Sequence, residues 1–271
     1  DECFKGIKRL YILKGSSGCG KSTLMRRVAG MAQRKGLPTD YIYCSADSDS
    51  LDGIILPTLS IAIADGTSPH VMDVKYPCVR ETIINLGQFW DEDKLIPKRE
   101  EIIALTDKKA MHYKNAYKCL SALGSVEDMK RQLISRAVLR DKLDSIIIKL
   151  VEKAIGVKGE VKTLFATAFT SAGVKTLSAF GDVKTLYTVN GNLSQIFMSS
   201  LVQTVNELGA KCTVSLSALD PSLPDAVYFE ETGVLVTDIP SAACSSAKEE
   251  KNISASRFTD NSILASMRAK L

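Results

Sequence analysis

The sequence GSSGCGKST, residues 15–23, decides the fold class of this chain. It follows the apolar run LYIL at residues 10–13 and leads into a helix-forming segment at residues 22–35. The pattern G-x-x-x-x-G-K-[ST] is satisfied by Gly15, Gly20, Lys21 and Ser22. Between a strand and a helix, this pattern predicts a loop whose backbone N–H groups surround a phosphate group.

The residue types in the loop suit the chemistry of a nucleotide triphosphate. Glycines let successive N–H groups point into one concavity, and the start of the helix adds a partial positive charge. Lys21 is predicted to reach the β- and γ-phosphates, and the Ser22 hydroxyl to ligate Mg²⁺. Cys19 is interpreted as a small side chain that fits the loop, with a redox role as the alternative. The predicted nucleotide-binding residues are Gly15, Ser16, Ser17, Gly18, Cys19, Gly20, Lys21, Ser22 and Thr23.

Aspartates at the ends of apolar runs are candidate magnesium ligands. Asp65 follows the run LSIAIA, and strand ends face the ligand crevice in open α/β sheets. We therefore predict Asp65, with Lys21, as catalytic and Ser22, Asp65 and Asp47 as metal-binding. Asp49 is a weaker alternative as metal ligand or general base. Asp52 is assigned to capping or turn formation, with metal binding as the alternative, and His70 to a surface loop, with contact to the phosphates as the alternative.

The chain contains an internal repeat. The segment IKRLYILKG at residues 7–15 recurs as VKTLYTVNG at residues 183–191, but the second loop reads GNLSQIF and lacks the lysine. Further along, the copies align without a gap at an offset of 173 residues, which places Asp47, Asp52 and Asp65 opposite Asp220, Asp225 and Asp238. The repeat predicts two tandem α/β copies of a P-loop NTPase fold, each with a parallel sheet covered by helices. Only the first is expected to bind phosphate.

A helical insertion separates the two copies. Residues 91–153 carry apolar side chains at helical spacing, and Gly124 with Ser125 suggests a break between two helices of a hairpin. Residues 144–151 extend the second helix or form a strand. The hairpin could be a lid, a partner-binding arm or a spacer. Its arginines, at positions 131, 136 and 140, could form a solvated basic face or supply a finger to the γ-phosphate.

Charge and cysteine content indicate which kinds of binding partner and which cellular location to expect. The 271 residues carry a net charge of +4, too small an excess to indicate nucleic acid. Seven cysteines without C-x-x-C spacing fit reduced thiols and a cytoplasmic location, and no apolar run is long enough for a membrane span. We expect domains at residues 1–155 and 156–271, the second ending in a tail with a helix at 261–271. A start at Asp1 suggests a truncated N-terminus.

Four segments together resemble a poorly characterised bacterial family of tandem P-loop ATPases, some of them described as nucleotide-kinase-like. These segments are FKGIKRLYILKGSSGCGKSTLM, YCSADSDSLDGIILP, IAIADGTSPHVMDVKYP and ETIINLGQFWDE. The resemblance implies ATP binding at residues 15–23 and a preceding segment missing here. It also implies an intact second loop, from which GNLSQIF departs.

Three functions are compatible with these patterns. An ATPase that couples hydrolysis of Mg²⁺-ATP to a conformational change is the first. A small-molecule or nucleotide kinase is the second, and a non-catalytic ATP-dependent switch or scaffold is the third. ATP and Mg²⁺ are the expected ligands in each, and the helical hairpin could bind a protein partner.

Overall fold

The chain divides into two compact units, Asp1–Ala110 and Met111–Leu271. The division falls inside a long helix, which differs from the boundary predicted near residue 155. None of the helices in the described ranges combines the length and apolar character needed to cross a bilayer. The computed structural model describes residues 2–45, 47, 49–68, 71–177, 179–239 and 247–267.

The first unit is built around a five-stranded sheet. Its strands are β1 (Arg9–Lys14), β2 (Asp40–Tyr43), β3 (Leu51–Leu56), β4 (Ile61–Asp65) and β5 (Glu81–Asn85). Its helices are α1 (Lys21–Arg34), the short α2 (Glu92–Leu95) and the start of α3 (Arg99–Ile134).

The first sheet is mixed, so the α/β class is confirmed but the predicted parallel sheet is not. The strand order is β2-β3-β4-β1-β5. β1 runs parallel to β4 and β5, whereas β3 is antiparallel to both of its neighbours. The connections on either side of β3 are too short for a crossover, so the chain must reverse there.

The two faces of the first sheet are covered differently. Leu13 of β1 packs with Met25 and Ala29, which recur at helical spacing along α1. Leu10 and Ile12 point to the opposite face, where the N-terminal turn and the segment after β4 cover them. Successive side chains of β1 therefore pack on opposite faces of the first sheet, and this packing on both faces fixes the position of the end of β1.

The long helix α3 corrects the predicted hairpin. It runs without interruption through Gly124, and the Ser125 hydroxyl donates to the carbonyl of Ser121 one turn earlier, at 3.0 Å. A glycine within a helix costs only about 1 kcal/mol relative to alanine, too little to end a helix by itself. The break comes later, at a 3₁₀ turn over Ser135–Ala137. Residues 144–151 lie within the next helix and form no strand.

The second unit contains a six-stranded sheet and a separate hairpin. Its remaining helices are α4 (Arg140–Ala154), α5 (Ser194–Leu208) and α6 (Asn261–Met267), and positions 268–271 of the predicted last helix lie outside the described residues. Its strands are β6 (Val161–Leu164), β7 (Thr167–Thr170), β8 (Gly173–Thr176), β9 (Thr185–Asn190), β10 (Cys212–Leu216), β11 (Pro224–Phe229), β12 (Val234–Thr237) and β13 (Glu249–Ser254).

Five of the six strands of the second sheet have the same order and relative directions as the strands of the first, and β6 is an additional strand beside β10. The strand order is β13-β9-β12-β11-β10-β6, with β9 parallel to β12 and β13, and β11 antiparallel to its neighbours. Both sheets carry an irregularity at matching places: between Ile42 and Tyr43 in the first, and between Ser215 and Leu216 in the second. The offset of 173 residues seen in the sequence thus also relates the strand registers.

The largest apolar cluster lies on one side of the second sheet. Side chains of α4 and α5, including Ile147 and Phe197, pack there against Val214 and Val236 of the sheet. The opposite side is covered by a smaller cluster that includes Phe180. α5 therefore occupies the same place in its unit as α1 does in the first.

Candidate functional site

The loop of residues 15–20 connects β1 to α1, with Gly18 and Gly20 exposed and Gly15 partly buried. Gly18 and Gly20 adopt left-handed backbone conformations, with φ of 81° and 86°. Gly20 is the N-cap residue of α1, and among the described residues no side-chain hydrogen bond caps this end of the helix. Uncapped N–H groups at the start of a helix favour the binding of an anion there.

Lys21 lies at the centre of the site. It is only 8% exposed, and its Nζ donates to the carbonyls of Gly15 and Ser16 at 3.0 and 2.9 Å. Oδ2 of Asp65 lies 3.5 Å from the same Nζ. The ammonium group is thus compensated by three oxygens in a largely buried place, as a buried charge requires.

Asp65 reaches Lys21 because β1 and β4 are parallel neighbours. Leu13 pairs with Asp65, so both strands end at the same edge of the sheet. Oδ1 of Asp65 accepts from the N–H and hydroxyl of Thr67, at 2.9 and 2.5 Å, which leaves Oδ2 facing the lysine. Next to Asp65, a Cβ on Gly66 would clash with Cγ2 of Ile12, so a larger residue at position 66 would force the buried Ile12 side chain to move.

Each predicted magnesium ligand already has hydrogen-bond or ion-pair partners within the protein. The Ser22 hydroxyl accepts from the N–H of Leu51 at 3.1 Å, and its second lone pair leaves it able to ligate a cation. Ser22 and Asp65 carry the hard oxygen atoms that Mg²⁺ prefers, and Mg²⁺ commonly uses one or two protein ligands besides phosphate and water. The described residues contain no cluster of three or more His, Cys, Asp or Glu side chains suited to a metal.

Asp47 is held within its own loop. Its carboxylate accepts from the hydroxyl of Ser50 at 2.6 Å and from the N–H of Asp49 at 3.2 Å. The Ser50 hydrogen bond is the main reason why the pKa of Asp47 is lowered. Asp49 offers its carbonyl to Arg26. These contacts close the turn between β2 and β3, which is a structural role for Asp47.

The remaining predicted residues fall in different places. Ser16, Ser17 and Thr23 are exposed on the loop and on the first turn of α1. The Sγ atom of Cys19 would lie 2.5 Å from a Cβ on Gly15, so the Cys19 side chain fills the space beside Gly15 and leaves no room for a side chain there. His70 lies outside the described residues.

Of the three arginines considered as a finger, Arg131 already forms ion pairs within the second unit. Arg131 forms ion pairs with Asp128 and, at 3.8 Å, with Asp220. Arg136 lies in the 3₁₀ turn that follows α3, and Arg140 is the first residue of α4.

Two lysines near the loop were not predicted. Nζ of Lys14 donates to the carbonyls of Gly66 and Met72, at 2.7 and 2.9 Å, and so ties the segment after β4 to β1. Nζ of Lys109, on α3, donates to the hydroxyl of Ser17 at 3.2 Å. Lys14 could have been noticed as the residue directly before Gly15, whereas Lys109 is distant in sequence and no pattern indicates it.

The matching position in the second unit lacks the cation. Ser194 and Gln195 take the places of Lys21 and Ser22, and both donate to Oδ2 of Asp238, at 3.2 and 2.9 Å. Burial, with a smaller contribution from the charge of Asp225, raises the pKa of Asp238 to about 6. This carboxylate therefore has neutral partners where Asp65 has an ammonium group.

A cavity of about 320 Å³ adjoins this second loop. It is bounded by Gly191 and Asn192, by the loop after β10 and by the last turns of α3. Its two cations are paired with carboxylates: Lys130 with Glu127 at 3.2 Å, and Arg131 with the two aspartates given above. The cavity lining thus has no surplus positive charge for a phosphate.

Comparisons of the chain with protein-family models, with curated proteins and with solved structures give no match.

Proposed function

We propose that the first unit binds Mg²⁺-ATP through residues 15–23 and Asp65, and that the chain is a P-loop ATPase that couples hydrolysis to a conformational change. One observation carries this proposal: the largely buried Lys21 ammonium lies between two loop carbonyls and the Asp65 carboxylate. Such a cation at a glycine-rich helix N-terminus is suited to the β- and γ-phosphates.

Each residue of the site has a definite part in this function. The N–H groups of the loop and of the first turn of α1 hold the phosphates, and Lys21 offsets the charge that develops on them. Ser22 and Asp65 would hold Mg²⁺, which neutralises phosphate charge when bound. The carbonyl contacts of Lys21 keep its ammonium positioned before the nucleotide arrives, which limits the ordering needed on binding.

The second unit is proposed to be a degenerate copy of the same P-loop fold. The shared strand order and registers support this interpretation. Ser194 at the lysine position leaves the second loop without the cation that triphosphate binding requires. We therefore expect one nucleotide site per chain.

Calorimetric titration with ATP in the presence of Mg²⁺ tests the binding site. The wild-type chain should bind one ATP, and Lys21→Ala should weaken binding by about 100-fold, as expected for loss of a buried charge-assisted contact of roughly 2–3 kcal/mol. Lys35→Ala is the matched control, because Lys35 is exposed at the other end of α1. Equal affinities of the two variants, or two tight sites, would contradict the proposal.

The reaction is tested separately. Phosphate release from ATP should be measured with the wild type and with Lys21→Ala, and a panel of small-molecule and nucleotide acceptors should be tested with labelled ATP. Release by the wild type alone supports the ATPase. Faster transfer to an acceptor than to water indicates the kinase instead, and binding without turnover indicates a switch.

A further inference from the structure

We propose that Lys109 is a second phosphate-contacting cation, placed by α3 to bind the terminal phosphate of the nucleotide. This inference rests on the proposed function. Nζ of Lys109 lies 3.2 Å from the hydroxyl of Ser17, within the predicted phosphate loop. Both residues belong to the first unit, which extends to Ala110.

The position of Lys21 indicates which end of the nucleotide Lys109 would meet. A lysine of this loop type reaches the β- and γ-phosphates. In this chain the Lys21 ammonium donates to the carbonyls of Gly15 and Ser16, at the beginning of the loop. The terminal phosphate is therefore expected near the beginning of the loop, and Ser17 is the next residue. Lys109 thus approaches from the γ-phosphate side.

The chemistry of Lys109 suits this role. A lysine ammonium is a compact charge with three donors on a flexible stem, and the hydroxyl of Ser17 uses only one of them. Lys109 is exposed, so its charge is not already held by a buried partner. A phosphoryl group bound at Lys21 would bring further acceptor oxygens to the same edge of the loop.

The chain offers a matched control one residue away. Lys108 has the same charge, is exposed on the same helix, and makes no hydrogen bond or ion pair within the described part of the chain. Neighbouring residues of a helix face in directions about 100° apart, so the side chains of Lys108 and Lys109 differ in direction but not in residue type or charge.

The test compares affinities for ATP and ADP, measured by calorimetry with Mg²⁺, in the wild type, Lys109→Ala and Lys108→Ala. Because Lys109 is exposed and screened, we expect Lys109→Ala to weaken ATP by about three- to tenfold and to leave ADP within twofold. Lys108→Ala should change neither affinity. Lys109→Arg should keep the wild-type ratio of ATP to ADP affinity, since it keeps the charge.

Each outcome bears on a stated claim. Equal effects of the Lys109→Ala and Lys108→Ala variants overturn the inference alone, as does an equal loss of ATP and ADP affinity in Lys109→Ala. Failure of the wild type to bind ATP overturns the proposed function and this inference with it.

Discussion

Asp238 is a partly buried carboxylate whose neutralisation should stabilise the second unit. It follows β12 and is hydrogen-bonded by Ser194 and Gln195, with Asp225 as the charged neighbour. Its pKa is raised from 3.8 to about 6, mainly by burial. The substitution Asp238→Asn removes the charge and keeps an oxygen that can accept from the same two donors.

The size and sign of the effect follow from the pKa difference. A pKa about two units higher in the folded chain corresponds to roughly 3 kcal/mol. The folded state holds the proton of Asp238 more tightly than the unfolded state, so this stabilisation is complete below pH 3.8 and is lost as the pH rises through about 6. At pH 8, Asp238→Asn should therefore be more stable than the wild type by up to about 3 kcal/mol, and at pH 3.5 the two should be equal.

Thermal unfolding followed by far-ultraviolet circular dichroism at several pH values measures this difference. Circular dichroism is chosen because the single tryptophan, Trp90, lies in the first unit and does not report on the second. A gain of this size should raise the midpoint at pH 8 by about 5–10 °C for a unit of this length. Asp182→Asn, at an exposed carboxylate of the same unit, is the control. The reasoning is refuted if Asp238→Asn gains no stability between pH 3.5 and pH 8, or if the control gains as much.

Two further predictions concern the first unit. Arg80→Ala should lower the free energy of unfolding of this unit by about 3 kcal/mol, because Glu81, which is 3% exposed and 2.9 Å from the Arg80 guanidinium, would be left buried without its cation. Urea unfolding followed by tryptophan fluorescence measures this change. Arg27→Ala, at an exposed position, should change the stability little, and equal effects of the two substitutions would contradict the prediction. Gly15→Ala should weaken ATP binding in calorimetry by about tenfold, because its Cβ would lie 2.5 Å from Sγ of Cys19 and because a φ of 158° at this position is unfavourable for a residue with a side chain. Adding Cys19→Ala removes the clash but not the backbone strain, so it should restore part of the affinity. No recovery would refute the steric explanation.

Local patterns in the sequence were sufficient for the elements around the loop. The apolar run before Gly15 predicted β1, and the apolar spacing after Gly20 predicted α1, whose observed bounds are Lys21–Arg34. The run before Asp65 predicted a strand ending at an aspartate, and β4 ends at that residue. These elements were predictable because their signals come from residues close together in the chain.

Other features depend on residues that are far apart in sequence. Gly124 suggested a helix break, but a single glycine is a small penalty that the rest of α3 outweighs. Asp47 resembled a strand-end metal ligand, yet Ser50 and Asp49 hold it in its own turn. A sequence pattern identifies a glycine or an aspartate at such a position but does not indicate which residues will contact it in the folded chain.

The sequence by itself determined the α/β class, the glycine loop with its lysine, and the loss of that lysine in the second half. Tertiary structure alone decided that the sheets are mixed, that Asp65 rather than Asp47 meets Lys21, and that Lys109 approaches Ser17. The physical reason is that strand direction and contacts between distant side chains are set by how the whole chain packs, whereas glycine conformation and apolar periodicity act within a few residues.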